Sequence, residues 1–321
     1  MPILEVKNVK KYFPVTGGIF LRRKGWVYAV DGVSFRVEKG ETLGIVGESG
    51  CGKTTLGRCI MGLYDPTHGE VKVGRQVISK LTSEQRHKLS ASLQMIFQDP
   101  FESLDPRQTV RQILEEKYQI HNQARAGIGP AIKKLLDQVG LLPEVLSKYP
   151  HEFSGGQRQR IGIARAVSME PDIIICDEPV SALDVSVQSK ILNLLLELQK
   201  KMELTYVFIS HDLSVVRHIS DRIAVMYLGK IVEIADAEII YSHACHPYTQ
   251  ALLSAVPVPD PESKRQRIVL KGEVPSVENP PPGCRFNTRC GHAKDICYKT
   301  EPQLLANEKE VTHLTACHFF Y

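Results

Sequence analysis

Gly47-Glu48-Ser49-Gly50-Cys51-Gly52-Lys53-Thr54 is a glycine-rich run that ends in a lysine and a hydroxyl, a combination suited to phosphate. The glycines let successive backbone N–H groups converge on phosphate oxygens. Lys53 reaches the β/γ phosphates and Thr54 can ligate Mg²⁺, with Thr55 beside it at the helix start. Farther along, Asp177-Glu178 closes the apolar run Ile173 to Cys176. Two acids there suit two tasks: Asp177 to hold Mg²⁺ through water, and Glu178 to polarise the attacking water as general base, worth about 10²–10⁴-fold in rate. Ser154-Gly155-Gly156-Gln157 opens a helical stretch, so its hydroxyl and glycine amides make a second anion site, one more than a single nucleotide needs. Cys284, Cys290, Cys297 and Cys317 are spaced C-x5-C-x6-C-x19-C. Four soft ligands suit a [4Fe–4S] cluster or tetrahedral zinc, although the spacings differ from the two-residue pairs of a zinc ribbon.

These residues need a scaffold that brings strand ends and helix starts together. Alternating apolar and charged residues over Ile3 to Val9 and Val33 to Val37 predict antiparallel strands with one wet face. The buried run Leu43 to Val46 followed by the glycine-rich turn and a helix over Thr54 to Met61 is a strand–loop–helix unit. About Asp99 to Arg165 reads as a helical insert. Buried strands resume at Asp172 to Cys176 and Tyr206 to Ile209 around an amphipathic helix, Val187 to Gln199, which implies a parallel sheet. Ile223 to Tyr227 and Lys230 to Ile234, joined at Gly229, read as a hairpin. Val15 to Val27, carrying Arg22-Arg23-Lys24, reads as an exposed basic loop inserted in a hairpin. After about Ile240 the chain becomes proline-rich and loop-rich.

The chain has 321 residues, 43% hydrophobic and 24% charged, which suits one large or two ordinary globular domains. Forty Lys and Arg against 36 Asp and Glu leave a net charge of only +4, which argues against nucleic acid as the default partner. No apolar run approaches the roughly 18 residues a membrane span requires. Met1 to Lys7 carries charges where a signal peptide needs its apolar stretch, so the expectation is a cytosolic chain without disulfides.

Phe153-Ser154-Gly155-Gly156-Gln157, read with the phosphate loop and the paired acids, resembles the Leu-Ser-Gly-Gly-Gln signature of ATP-binding cassette (ABC) ATPases, with Phe153 in place of the leucine. The resemblance implies an α/β fold, a P-loop NTPase cassette with a RecA-like parallel-sheet core, an antiparallel β subdomain and a helical subdomain. It implies that Ser154 to Gln157 reach across a head-to-tail dimer to the γ-phosphate held by the other subunit. Gln98 in Met95-Ile96-Phe97-Gln98-Asp99 resembles the Q-loop glutamine, which links Mg²⁺ and water to the helical insert. Asp184 in Ser181-Ala182-Leu183-Asp184 resembles the D-loop, and His211 in Ile209-Ser210-His211-Asp212 the switch histidine that contacts the γ-phosphate. Phe13 sits where the family stacks an aromatic on adenine, with Tyr12 as a rival.

His246-Pro247-Tyr248-Thr249-Gln250-Ala251-Leu252-Leu253-Ser254-Ala255-Val256-Pro257 resembles the C-terminal motif of dipeptide/oligopeptide and nickel importer ATPases, so the resemblance covers essentially the whole chain. It divides the chain into a cassette, 1–240, with about 99–165 as the helical subdomain, and a C-terminal module, 241–321. Family members with this cysteine pattern carry a [4Fe–4S] cluster, so Cys284, Cys290, Cys297 and Cys317 are its expected ligands, with zinc as the alternative. The implied function is ATP hydrolysis that powers peptide import, at the cytoplasmic face of the membrane. The implied partners are a second ABC subunit in a heterodimer, two permeases and, indirectly, an extracytoplasmic substrate-binding protein. A nickel importer, a soluble ABC ATPase acting on nucleic acid or ribosomes, and a small-molecule P-loop kinase are the competing readings. One cassette without sustained heptads disfavours the second, and the kinase leaves Ser154 to Gln157 and His211 without a purpose.

Overall fold

The computed structural model describes residues 1–17, 22–99, 103–122, 125–256, 267–306 and 312–319. The chain divides into two units: Met1–Val37, Thr42–Ser79 and Ile209–Tyr321 form the first, and Glu38–Glu41 with Lys80–Phe208 the second.

In the first unit a four-stranded antiparallel sheet runs in the order Arg22–Val37, Leu4–Gly17, His68–Val73, Gln76–Val77. Leu4, Val6 and Val9 are buried while Lys7 and Asn8 are exposed. The break in strict alternation is absorbed by a register shift between Val6 and Val9, where Asn8 takes a positive φ of 45°. The expected basic loop over Val15 to Val27 gives way to paired strand at Val15 to Gly17 and Arg22 to Val27, while residues 18–21 lie outside the described residues. The ladder continues through Val15↔Gly25 and Gly17↔Arg22, because Val15, Thr16 and Val27 have the β-branched character that favours strand pairing.

The same unit holds the strand Thr42–Val46, buried throughout. It pairs in parallel with Arg222–Tyr227, which turns at Leu228-Gly229 into the antiparallel strand Lys230–Asp236. Short strands Leu314–Thr315 and Leu305–Ala306 extend that edge, with Glu233 opposite Thr315. A strand covered on both faces loses polar alternation, which is why Leu43 to Val46 reads as one apolar run. Helices Lys53–Ile60, Leu213–Ile219, Ala237–His243 and Pro247–Ser254 also lie in this unit.

In the second unit Leu93–Ile96 pairs in parallel with Ile173–Asp177, and the strand Thr205–Ser210, whose start falls in this unit, flanks the latter. Helices Ser83–Ser92 and Val110–Ile120 each begin with a threonine–glutamine capping box, Thr82/Gln85 and Thr109/Gln112. The Val185–Met202 helix buries Ile191, Leu194, Leu195 and Leu198, the three-and-four spacing of one apolar stripe. Among the described residues Gly155–Val167 and Arg125–Val139 are the remaining long helices. Among the described residues no helix is long and apolar enough to cross a membrane.

Candidate functional site

The phosphate loop lies in the first unit. The Thr42–Val46 strand delivers the chain into Gly47 to Gly52, and the Lys53–Ile60 helix leaves from Gly52. Gly52 takes φ 104°, and a Cβ there would stand 1.9 Å from the Ala29 carbonyl oxygen. Only glycine satisfies both demands. Ser49 and Gly50 form an exposed tip. Lys53 is 4% exposed, and its Nζ donates to the carbonyls of Gly47 (2.8 Å) and Glu48 (3.1 Å), folding the cation over its own loop. Thr54 and Thr55 stay half-buried on the helix's first turn. Cys51 is buried, and burial pushes its thiol pKa up, which makes it a packed thiol rather than a reactive one.

His211 is exposed just beyond Ser210, before a helix whose cap, Asp212, accepts the Ser214 amide at 2.8 Å. The Tyr12 hydroxyl donates to Asp31 Oδ1 at 2.5 Å and its ring meets Tyr28 edge-on at 4.8 Å. Phe13 instead packs edge-on to Tyr64 at 5.5 Å, with Lys11 Nζ 5.1 Å from its ring. Of the two aromatics, Tyr12 is therefore the one committed to a polar bond within the fold.

Gln98, Asp177, Glu178, Ser154 to Gln157 and Asp184 lie in the second unit. Gln98 Nε2 donates to Glu178 Oε2 at 3.1 Å, so these two expected site residues meet directly. Asp177 is 3% exposed at the end of its strand. Glu178 follows with φ 48°, a left-handed conformation that costs a non-glycine residue about 1–3 kcal/mol. Its carbonyl accepts the Ser181 hydroxyl at 3.1 Å, which ties the acid to the turn leading to Asp184. Asp184 caps the Val185–Met202 helix through its carbonyl, which accepts the Val187 and Gln188 amides at 2.8 Å each.

Ser154 is the exposed cap of the Gly155–Val167 helix, and its amide and hydroxyl both donate to Gln157 Oε1, at 3.1 and 3.2 Å. Gly156 is a glycine for reasons of space, since a Cβ there would lie 2.5 Å from Val187 Cγ1. The signature segment and the helix capped by Asp184 are thus packed as one piece.

Cys284, Cys290, Cys297 and Cys317 all line one cavity of about 470 Å³, which His246 and His318 also border. The Cys284 amide donates to the Cys297 carbonyl at 2.8 Å. Burial pushes the Cys284 thiol up to about 11, and the other three thiols add to the rise. Around the cavity lies a polar frame that no short motif announces. Asp31 accepts from Tyr12, and Arg285 Nη2 (2.5 Å) and Lys230 Nζ (3.1 Å) reach its Oδ2. Burial alone would raise Asp31, but Tyr12, Lys230 and Arg285 outweigh it and hold it at about 2. Glu233, fully buried, accepts the Cys245 amide (2.6 Å), the His246 amide (3.1 Å) and His313 Nε2 (2.7 Å).

The family described as "ABC transporter" matches residues 30–181, and "Oligopeptide/dipeptide transporter, C-terminal region" matches residues 232–297. The chain is 55% identical over 322 residues to the oligopeptide transport ATP-binding protein AppF of Bacillus subtilis, covering 99% of this chain and 97% of the relative. It is 47% identical over 327 residues to OppF of Escherichia coli, covering 98% and 95%. Among solved structures it resembles cbiO1 of Clostridium perfringens, with TM-score 0.65, 26% identity and coverage of 75% of this chain and 91% of that one. It also resembles the dimeric post-hydrolysis cassette MJ0796 bound to ADP and Pi, with TM-score 0.64, 29% identity and coverage of 73% and 98%. With phosphate loop, signature segment and C-terminal region all in one chain that matches these relatives over nearly all of its length, it belongs to the oligopeptide transport ATP-binding proteins of the ABC transporter ATPase family.

Proposed function

We propose that this chain hydrolyses ATP to drive peptide import and works as one half of a cassette dimer beneath two membrane permeases. The observation that carries this reading is the C-terminal match over residues 232–297 in a chain whose relatives named for oligopeptide transport align over nearly its full length. Those relatives favour peptide over nickel, and the same match disfavours a nucleic-acid partner. The chain sits at the cytoplasmic face of the membrane without entering it. A second cassette subunit completes the pair as a heterodimer, and an extracytoplasmic binding protein delivers the peptide. By function, residues 1–240 form the cassette, with about 99–165 as its helical subdomain, and 241–321 form the C-terminal module.

In this reading the loop amides from Gly47, Ser49, Gly50, Cys51 and Gly52, with Lys53, Thr54 and Thr55, hold the triphosphate while Phe13 stacks on adenine. The Thr54 hydroxyl, Gln98 amide oxygen and Asp177 carboxylate are hard oxygen donors of the kind Mg²⁺ prefers, and the ion would neutralise charge on the β/γ phosphates. Glu178 takes the proton of the attacking water, Gln98 holds Glu178 oriented, and His211 contacts the γ-phosphate. Ser154, Gly155, Gly156 and Gln157 close on the partner's nucleotide, with Asp184 at the joint between the subunits. ATP therefore glues the dimer, and hydrolysis releases it.

The four cysteines fit a [4Fe–4S] cluster: four soft donors share one cavity, and as thiolates they would repel one another without a cationic centre between them. Such a cluster would staple a proline-rich segment with little core of its own. Affinity purification of the tagged chain from membranes, followed by ATP-dependent uptake of a labelled peptide into vesicles, tests the main proposal. Permeases should co-purify and Lys53→Ala should abolish uptake. Recovery of RNA or ribosomes without permeases would sink it.

A further inference from the structure

Glu48, the second residue of the phosphate loop, is held at every polar group it owns. Its amide donates to Tyr248 Oη at 2.9 Å. Its carbonyl accepts Lys53 Nζ at 3.1 Å and the Cys51 amide at 3.3 Å. Its carboxylate takes both arms of one guanidinium, Arg289 Nη1 to Oε2 at 2.7 Å and Nη2 to Oε1 at 3.1 Å. Two of these holds come from the C-terminal region. Arg289 directly precedes Cys290, and Tyr248 lies on the Pro247–Ser254 helix. Phe286, two residues past Cys284, wedges its ring against Tyr227 (5.3 Å) and Tyr248 (5.4 Å), and all three are almost fully buried. A second strut runs from Arg285 through Asp31, whose amide donates to the Gly229 carbonyl at 2.8 Å, and the Gly229 amide donates to the Cys51 carbonyl at 2.9 Å.

An exposed ion pair would be worth little. This one is bidentate, and the arginine side chain is 7% exposed against 28% for the glutamate, so it resists solvent and salt better than a surface pair. Its position is also chemically pointed. A carboxylate inside a loop built to receive a triphosphate opposes the ligand's charge unless a fixed cation cancels it. A loop pinned before binding also loses less freedom when the nucleotide arrives.

We propose that Arg289 and Tyr248 are positioning residues for the nucleotide site: they cancel the charge of Glu48 and pin the phosphate loop, so the four-cysteine segment sets the chain's affinity for ATP. The proposal rests on the phosphate loop being the ATP site, as argued above.

The test is titration of the purified full-length chain with a fluorescent Mg²⁺–ATP analogue at fixed salt. Arg289→Gln leaves Glu48 uncompensated and should weaken binding about 10-fold. Glu48→Gln removes the carboxylate and should stay within about 3-fold of wild type, and the double variant Glu48→Gln/Arg289→Gln should recover most of the loss. Rescue on removing the partner is the outcome a merely structural arginine does not give, and the loss in Arg289→Gln should shrink as salt rises. Arg289→Lys, which keeps the charge but not the fork, should fall between Arg289→Gln and wild type, and it serves where the glutamine variant does not fold. Tyr248→Phe should weaken binding by a few fold through the Glu48 amide. Binding by Arg289→Gln within 2-fold of wild type, or a double variant as weak as the single, overturns the proposal. Lys53→Ala is run alongside, and unchanged binding there would instead remove the phosphate-loop reading beneath it.

Discussion

Alanine at Gly156 should destabilise the protein for a reason that a second substitution can remove. The new Cβ would sit 2.5 Å from Val187 Cγ1, against about 3.5–4.0 Å for an ordinary carbon contact. Valine on a helix is confined almost to one rotamer, so the obstruction does not simply swing away. Alanine's better helix propensity returns at most about 1 kcal/mol, whereas forcing an extra methyl into a packed contact costs about 1–3 kcal/mol. The net for Gly156→Ala is a loss of about 1 kcal/mol, together with displacement of the helix start at Ser154. Val187→Ala clears the space, and in that background Gly156→Ala should become neutral or stabilising. Denaturant unfolding of the four proteins of this cycle, followed by circular dichroism, reads the sign directly. Equal effects of Gly156→Ala in both backgrounds would refute the view that the glycine is there to let the two helices touch.

Lys53→Ala removes the proposed charged donor to phosphate and should weaken nucleotide binding by about 10–100-fold, measured with the same fluorescent analogue. Anaerobically purified protein should contain iron and acid-labile sulfide near four each per chain, on the expectation for a [4Fe–4S] cluster, and Cys284→Ser should lose both; stoichiometric zinc would replace the cluster by a tetrahedral metal. Burial pushes His246 down from 6.5 to about 4 against the opposing pull of Glu233, while its Nδ1 accepts the Tyr248 amide at 3.1 Å. The unfolded chain binds the proton first as pH drops, so this group's stabilisation is complete above about 6.5. It is lost as pH falls through about 4, by about 3 kcal/mol at most. His246→Asn, which keeps a cap acceptor without titrating, should flatten that limb of a melting-temperature profile against pH.

Local structure was legible wherever one short segment carries its own geometry. The phosphate loop needs only its strand, its glycines and its helix start, and Gly52 at φ 104° follows from the motif. The hairpin at Gly229 and the stripe of the Val185–Met202 helix are also written in periods that a window of residues can hold. The strand Leu93–Ile96 escaped because four residues interrupted by Gln94 carry no period. Val15 to Gly17 escaped because charge near Arg22 suggested a loop where pairing continues. The contacts that frame the site were illegible for a different reason: Glu48 meets Tyr248 and Arg289 at separations of 200 and 241 residues. Tyr248 sits in a recognisable motif, but nothing in that motif points to Glu48, and Arg289 has no distinctive local spacing. Long-range pairs between common residue types leave no trace in one sequence.

The central claim is that Glu178, held by Gln98 at 3.1 Å, activates the water that splits ATP. Steady-state hydrolysis by Glu178→Gln, measured on the chain alone and with the membrane subunits that co-purify with it, tests this most directly. Nucleotide affinity should remain near wild type, while turnover falls by about 10²–10⁴-fold and ATP stays trapped in closed dimers. Turnover at the wild-type rate with intact binding would contradict the assignment.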